Sequence, residues 1–163
     1  MQVRIASKDD IAVIRHIAHE TWPVAYRGLL SEPQLAYMLE LIYSPGALDK
    51  QFNEGHIFFI AETDEEVAVG FAGCSEYEPG INWKLHKLYV LPHIQKSGAG
   101  KALMQAVIQT AKEHHAAALL LNVKRDNPAY HYYLEKGFRV VDTVDIPIGE
   151  GYFMRDYVMM KEI

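Results

Sequence analysis

Leu85-His86-Lys87-Leu88-Tyr89-Val90-Leu91 runs to Pro92. Gln95-Lys96-Ser97-Gly98-Ala99-Gly100 follows, then Leu103, Val107 and Ala111 at helical spacing, backed by Ala102 and Ala106. The first run is β-branched and apolar enough for a buried strand, and Pro92 stops it. The last is one face of a helix. A strand, a turn with two glycines and a helix make an anion site. Glycine lets the backbone approach a ligand, and the first helical N–H groups have no internal partner. The stretch from Lys84 to Glu113 therefore reads as a phosphate cradle, and the rest of the chain is organised around it.

Two common phosphate motifs are excluded. A P-loop needs Gly where Gln95 stands and Ser or Thr where Ala102 stands, so the hydroxyl that would hold Mg²⁺ is missing. A dinucleotide fingerprint needs a third Gly in place of Leu103, and no acidic residue follows at the right distance. What remains is Gln/Arg-x-x-Gly-x-Gly/Ala. Downstream lies Asn127-Pro128-Ala129-Tyr130-His131-Tyr132-Tyr133-Leu134-Glu135-Lys136-Gly137-Phe138. Asn127 is a good N-cap, Pro128 suits the first helical position, and Gly137 is a C-cap before a strand at Phe138.

With both stretches in order, the chain resembles the GNAT superfamily of N-acetyltransferases. Their pyrophosphate loop has the first pattern, and the second matches an Asn-Pro-Ala, Tyr, Gly-Phe segment through Ala129, Tyr133 and Gly137. The resemblance implies a mixed α/β fold: a mostly antiparallel, twisted central sheet, splayed at the acyl-CoA site and flanked by helices. It also implies acetyl-CoA as co-substrate. The CoA contacts would be Gln95, Lys96, Ser97, Gly98, Ala99, Gly100 and Lys101 at the pyrophosphate. Leu88, Tyr89 and Val90 would lie along the pantetheine arm, with Asn127, Ala129 and Tyr133 opposite.

Composition bounds the rest. A chain of 163 residues is one domain's worth, and we expect a single domain over 1–163. Half the residues are hydrophobic and 23% are charged, which fits a folded globular protein. No apolar run approaches the ~20 residues of a membrane span, and no basic-then-apolar leader opens the chain. Cys74, the lone cysteine, has no partner for an internal disulfide, so a cytoplasmic location is expected. The net charge of −5 argues against nucleic acid and favours a cationic acceptor. The expected partners are acetyl-CoA and a small amine, without metal, nucleic acid or membrane; a homodimer is left open.

In order, Gln2 to Ala6 is a short strand and Ser7 with Asp10 a capping box. A helix on Ile11, Ile14, Ile17, Ala18 and Thr21 is expected to end at Trp22-Pro23. Ser31 with Gln34 opens a second helix to Tyr43, and Leu48 to Phe52 adds a helical turn. Strands follow at His56–Glu62, Val67–Ser75 and the central run. After the loop helix come a strand at Ala118–Val123, the Asn127 helix, and strands near Phe138–Ile146 and Tyr152–Lys161.

The chemistry follows from the acceptor. A primary amine of pKa about 10.4 is protonated at pH 7, and freeing it costs about 4–5 kcal/mol at about 1.36 per pH unit. A base or a desolvating site must help. By the resemblance, Tyr133 lies beside the CoA sulfur, where it would act mainly as a hydrogen-bond donor; helix packing is its alternative. Several relatives place a Glu where Lys84 stands, so that role does not carry over. Others place His at the position of His86, which alternation puts on one strand face with Leu88 and Val90. Glu76, Glu78 or a held water are the other bases. By the same resemblance Trp22 and Tyr26, with Glu20, would form the acceptor wall, core packing being the alternative for the aromatics, and Glu20, Glu32, Glu76 and Glu78 are expected near its mouth. The expected reaction is direct attack of an amine on acetyl-CoA in a ternary complex. A polyamine is one acceptor, on a loose resemblance of the first third to bacterial polyamine acetyltransferases. A protein N-terminus, a metabolite amine, or a non-catalytic acyl-CoA-binding module are the alternatives.

Overall fold

The strand–loop–helix run at Asn82–Glu113 forms as its sequence dictates, and the sheet grows from it. The computed structural model describes residues 1–163. In chain order the elements are β1 (Gln2–Ile5), α1 (Ile11–Ala25), α2 (Glu32–Tyr43) and α3 (Pro45–Asn53). Then come β2 (Ile57–Glu62), β3 (Ala68–Glu78), β4 (Asn82–Val90) and α4 (Ala99–Glu113). β5 (Ala118–Lys124), α5 (Ala129–Glu135), β6 (Arg139–Gly149) and β7 (Tyr152–Glu162) complete the chain. The strands form one seven-stranded sheet in the order β1-β2-β3-β4-β5-β7-β6. Every neighbouring pair is antiparallel except β4 and β5. No helix is long and apolar enough to cross a membrane.

The parallel pair decides the shape of the site. Asn82–Leu85 pair with Ala118–Leu121, and the pairing stops there. Beyond it β4 continues to Val90 and β5 to Lys124 without a ladder between them, so the sheet is splayed there, as the resemblance implies. α4 packs on one face through Ala99, Leu103, Met104, Val107 and Ala111, the face its spacing announces. It comes close because Gly70 has no side chain. A Cβ there would stand 3.0 Å from the Tyr89 carbonyl oxygen and 3.3 Å from Leu103. On the opposite face, Trp22 and Tyr43 anchor α1 and α2 with ring centroids 5.6 Å apart, and Trp22 lies 5.7 Å from Tyr89.

Two local expectations are corrected. α1 does not end at Trp22-Pro23 but runs on to Ala25 with Pro23 inside it. The residue before a proline is biased out of the helix, and the Pro23 N–H is missing. Burial of Trp22 at 3% exposure, its ring tilted against Tyr26 with centroids 4.7 Å apart, outweighs that local cost. The second correction is in β4. Gly73 pairs with Lys87 and Cys74 with Leu85, so His86 is an extra residue, a β-bulge. Alternation therefore flips: Val90 faces α4, whereas His86 lies on the side of Lys84, Lys87 and Tyr89 rather than with Leu88 and Val90. β3 also runs through Glu76 to Glu78 before the turn.

Capping follows the side chains. Ser7 and Asp10 form a complete box, whereas Ser31 accepts from Gln34 N–H at 3.2 Å without the return bond. The Gln34 amide instead donates to the Phe153 carbonyl at 3.3 Å, and the Tyr37 hydroxyl donates to the Ile148 carbonyl at 2.6 Å. These bonds tie α2 to the β6–β7 hairpin across the splayed end of the sheet.

Candidate functional site

Two cavities flank the gap between β4 and β5. The one on the α4 side, about 650 Å³, is lined by Gln95, Lys96, Ser97, Gly98, Gly100 and Lys101 together with Val90 and Lys136. Gly98 (φ +91) and Lys96 (φ +67) are both left-handed and turn the loop into the helix. The N–H groups of Gln95 to Gly98, Gly100 and Lys101 make no backbone hydrogen bond, and Ala102 is the first to close one, to Gly98. Three lysines and no carboxylate line this cavity. Free N–H donors at a helix N-terminus, with positive charge around them, suit a phosphate group. Ala99 is the exception in the loop. It is buried under α4 and its N–H points 3.4 Å to Ser97 Oγ.

The second cavity, about 480 Å³, lies on the α1–α2 side and is lined by Trp22, Tyr26, His56, Lys84, His86, Lys87 and Asp156 among others. Leu88, Tyr89, Asn127, Ala129 and Tyr133 line both cavities and form the wall between them. Asn127 Oδ1 accepts from Ala129 N–H at 2.9 Å, so this residue caps α5 and keeps its amide donor for the cavity. Gly137 (φ +93) closes the other end in a Schellman motif, with Phe138 N–H on Tyr133 O at 3.0 Å and Gly137 N–H on Leu134 O at 3.1 Å. The Tyr133 ring is thereby held at the junction. Burial raises its hydroxyl well above the usual tyrosine value, so it stays protonated and serves as a donor.

The α1–α2 cavity has an unusual polar lining. Buried polar atoms without a close partner line it: His56 Nδ1 and Asn122 Oδ1, and Trp22 Nε1 and Tyr43 Oη, which have only each other nearby. An unpartnered buried polar atom costs about 1–3 kcal/mol, which a bound group can recover. The bulged His86 holds Ser75 Oγ at 2.7 Å through Nε2 and stacks on His56 at 4.5 Å. Enclosure by the cavity walls, the His56 ring, Lys87 and Lys84 hold it far below the usual imidazole range, at about 3. One ring edge stays open to the cavity, so a bound molecule changes that depression. His86 is an exposed side chain on this wall, and as it stands its ring is mostly neutral at pH 7.

Asp156 is the single carboxylate on this wall, and it is 1% exposed. Its Oδ2 accepts from Asn122 Nδ2 at 3.3 Å, and burial holds it above the ordinary aspartate value despite Lys84, Lys124 and Arg125. Lys87 is 7% exposed with no carboxylate partner; Nζ donates to Gln51 Oε1 at 2.6 Å and sits over the Phe58 and Tyr43 rings. Burial lowers it to about 8 from 10.5. The unfolded chain thus holds a proton between these values that the folded chain has released, so wild-type stability rises with pH across that window. At 1.36 kcal/mol per pH unit the charge costs about 3 kcal/mol below pH 8. Comparing urea midpoints of wild type and Lys87→Met, we expect the gap to move toward wild type from pH 8 to pH 10; a pH-independent gap would contradict this.

Glu76 and Glu20 are not brought to either cavity. Glu76 pairs opposite Trp83, whose ring lies 4.7 Å from His114 at the far end of α4, and Glu20 is exposed on α1. Glu32 and Glu78 line neither cavity, and Glu78 accepts from Asn82 Nδ2 at 2.7 Å. Burial pushes the Cys74 thiol up to about 12, so it is inert as a nucleophile.

Residues 12–138 match the acetyltransferase (GNAT) family. The chain belongs to this family. It is 26% identical over 156 residues to an uncharacterized N-acetyltransferase of Mycobacterium bovis, covering 95% of this chain and 97% of the relative. It is 24% identical over 148 residues to a spermidine N(1)-acetyltransferase of Thermoplasma acidophilum, covering 88% and 91%. The crystal structure of PaiA N-acetyltransferase from Thermoplasma acidophilum in complex with coenzyme A superposes with a TM-score of 0.82, at 23% identity over all of both chains. The protein is thus a GNAT N-acetyltransferase, and the mixed α/β fold is the one its motifs imply. In this acetyltransferase the α1–α2 cavity also takes in Asp156 and Lys87, to which the motifs do not point. No motif surrounds Asp156 or Lys87. Their one signal is charge inside apolar strand runs, Asp156 between Phe153 and Val158 and Lys87 between Leu85 and Leu88.

Proposed function

We propose that residues 1–163 act as one N-acetyltransferase domain that moves an acetyl group from acetyl-CoA to a primary amine in a ternary complex. The observation that carries this is the pair of cavities sharing one wall at the strand gap. One is an anion cradle, and the other is a desolvated chamber with a single buried carboxylate. The loop Gln95–Lys101 would hold the pyrophosphate through backbone N–H groups. The exposed backbone of Leu88–Val90 and the Asn127 amide would hold the pantetheine arm as an added strand does. Acetyl-CoA supplies the thioester.

In this reading Asp156 takes the proton from the incoming ammonium, because burial brings its basicity nearer to neutral pH. Trp22 and Tyr26 exclude water, and the protonated Tyr133 hydroxyl donates a hydrogen bond where negative charge grows on sulfur. Tyr133→Phe should lower kcat by about 10- to 100-fold with CoA affinity within about twofold; equal kcat would remove Tyr133 from the mechanism. Similarity to the Thermoplasma spermidine enzyme favours a polyamine acceptor, whereas the cavity offers one carboxylate against three lysines. The test is thiol release from acetyl-CoA over a panel of primary amines, with the N-acetyl product identified by mass spectrometry. CoA binding without any acetylated amine would overturn the proposal.

A further inference from the structure

The wall of the α1–α2 cavity carries the opposite charge to the chain. The protein has 21 acidic and 16 basic residues, yet Lys84, Lys87 and Lys124 line this cavity against Asp156 alone, with the neutral rings of His56 and His86 beside them. Lys124 is spoken for by Asp126 at 2.6 Å. Lys84 and Lys87 form no ion pair: Lys84 lies over the Tyr77 ring at 5.0 Å, and Lys87 has Gln51 and two ring faces. Gln51 is itself fixed by donating to the Ile42 carbonyl at 2.9 Å, so it cannot turn to supply anything else. Beside them His56 Nδ1 is buried without a partner. Asp156 is near enough to be felt by Lys84 without pairing, and one further carboxylate, Glu54, by His56. A buried ammonium without a counter-ion lowers stability, and such groups are retained where a ligand uses them.

We propose that the acceptor is a small amine that also carries a carboxylate and an apolar body, its acid group held by Lys84 and Lys87. The amine then turns toward Asp156 and the Tyr133 wall, and the apolar body lies against Trp22, Met38 and Phe153. This rests on reading the α1–α2 cavity as the acceptor chamber. At neutral pH Lys87, at about 8, is still mostly charged and ready for an anion. A spermidine-like polycation meets two ammoniums there and only one carboxylate, an arrangement that repels it.

The test compares leucine, methionine, phenylalanine and 6-aminohexanoate with their carboxamides and with spermidine, reading kcat/KM by thiol release. A charge-assisted contact should favour the best free acid over its carboxamide by at least about tenfold. For the α-amino acids the bias of basicity runs the other way, since an α-amino amide has a pKa near about 7.7–8.0 and offers more free base. Lys84→Met and Lys87→Met should each abolish the preference while leaving CoA affinity, measured by calorimetry, unchanged. Lys84 is partly exposed, so that variant tests the idea even where Lys87→Met perturbs packing. Carboxamides accepted as well as acids, spermidine preferred, or a preference that survives both substitutions would overturn the inference and leave the acetyltransferase reading standing. Failure of acetyl-CoA turnover with every amine, despite CoA binding, would take both down.

Discussion

Asp156→Asn is expected to lower kcat by about 10²- to 10³-fold with little change in CoA affinity, the range a lost general base covers. The replacement keeps size and still accepts from Asn122, so the fold has little reason to respond. The pH dependence gives the sharper reading. Burial raises Asp156 in the folded chain, so its carboxylate forms only above that raised value, and the rate should climb with pH through it. In the variant this acidic limb disappears, while the limb from the amine's own ionisation remains. Stability has its own sign. A carboxyl whose folded value is raised favours the folded state at low pH and loses that advantage as pH rises. At pH 7 the Asn variant should therefore be as stable as wild type or more so. A slow variant that is also unstable would point to a structural role for Asp156.

Gly98→Val and Gly100→Val are each expected to weaken CoA binding by at least about 100-fold, measured by calorimetric titration. They fail for different reasons. At Gly98, φ is +91 and a Cβ would meet open space, so the obstacle is backbone conformation, which a β-branched residue resists. At Gly100 a Cβ would sit 3.9 Å from Val90 Cγ2 in ordinary contact, so the backbone tolerates it and the added methyls fill the cradle. Charge-assisted bonds from N–H to phosphate contribute about 1.5–3 kcal/mol each, and losing two suffices for this effect. Ser97→Ala is the control: its hydroxyl makes only the 3.4 Å contact to Ala99 N–H, and affinity should hold. Normal CoA binding by both valine variants would remove the loop from the site.

What could be read from sequence was local. Gly98 and Gly100 before a helix, Asn127 as a cap and Gly137 as a C-cap are decided within a few residues, and the folded chain uses each that way. At Pro23 and at the strand face of His86, tertiary packing overrides a local rule: a buried Trp22 carries α1 through the proline, and one bulged residue reverses which face His86 takes. The acceptor wall was the least legible. Glu20 and Glu76 drew attention as acids near familiar landmarks, but strand register sends Glu76 to the α4 side. Asp156, far along the chain, reaches the gap because β7 pairs with β5 and sets it opposite Lys124. The overall charge of −5 is a sum over the surface and says nothing about the sign of one buried wall.

A crystal structure of the protein grown with CoA tests the two-cavity arrangement most directly. We expect the pyrophosphate against the N–H groups of Gln95–Lys101, the pantetheine arm in the gap along Leu88–Val90 facing Asn127, and the thiol at the wall beside Tyr133, opening toward Asp156. CoA bound anywhere else, or in the α4-side cavity with its thiol turned away from Tyr133 and the α1–α2 chamber, would contradict it.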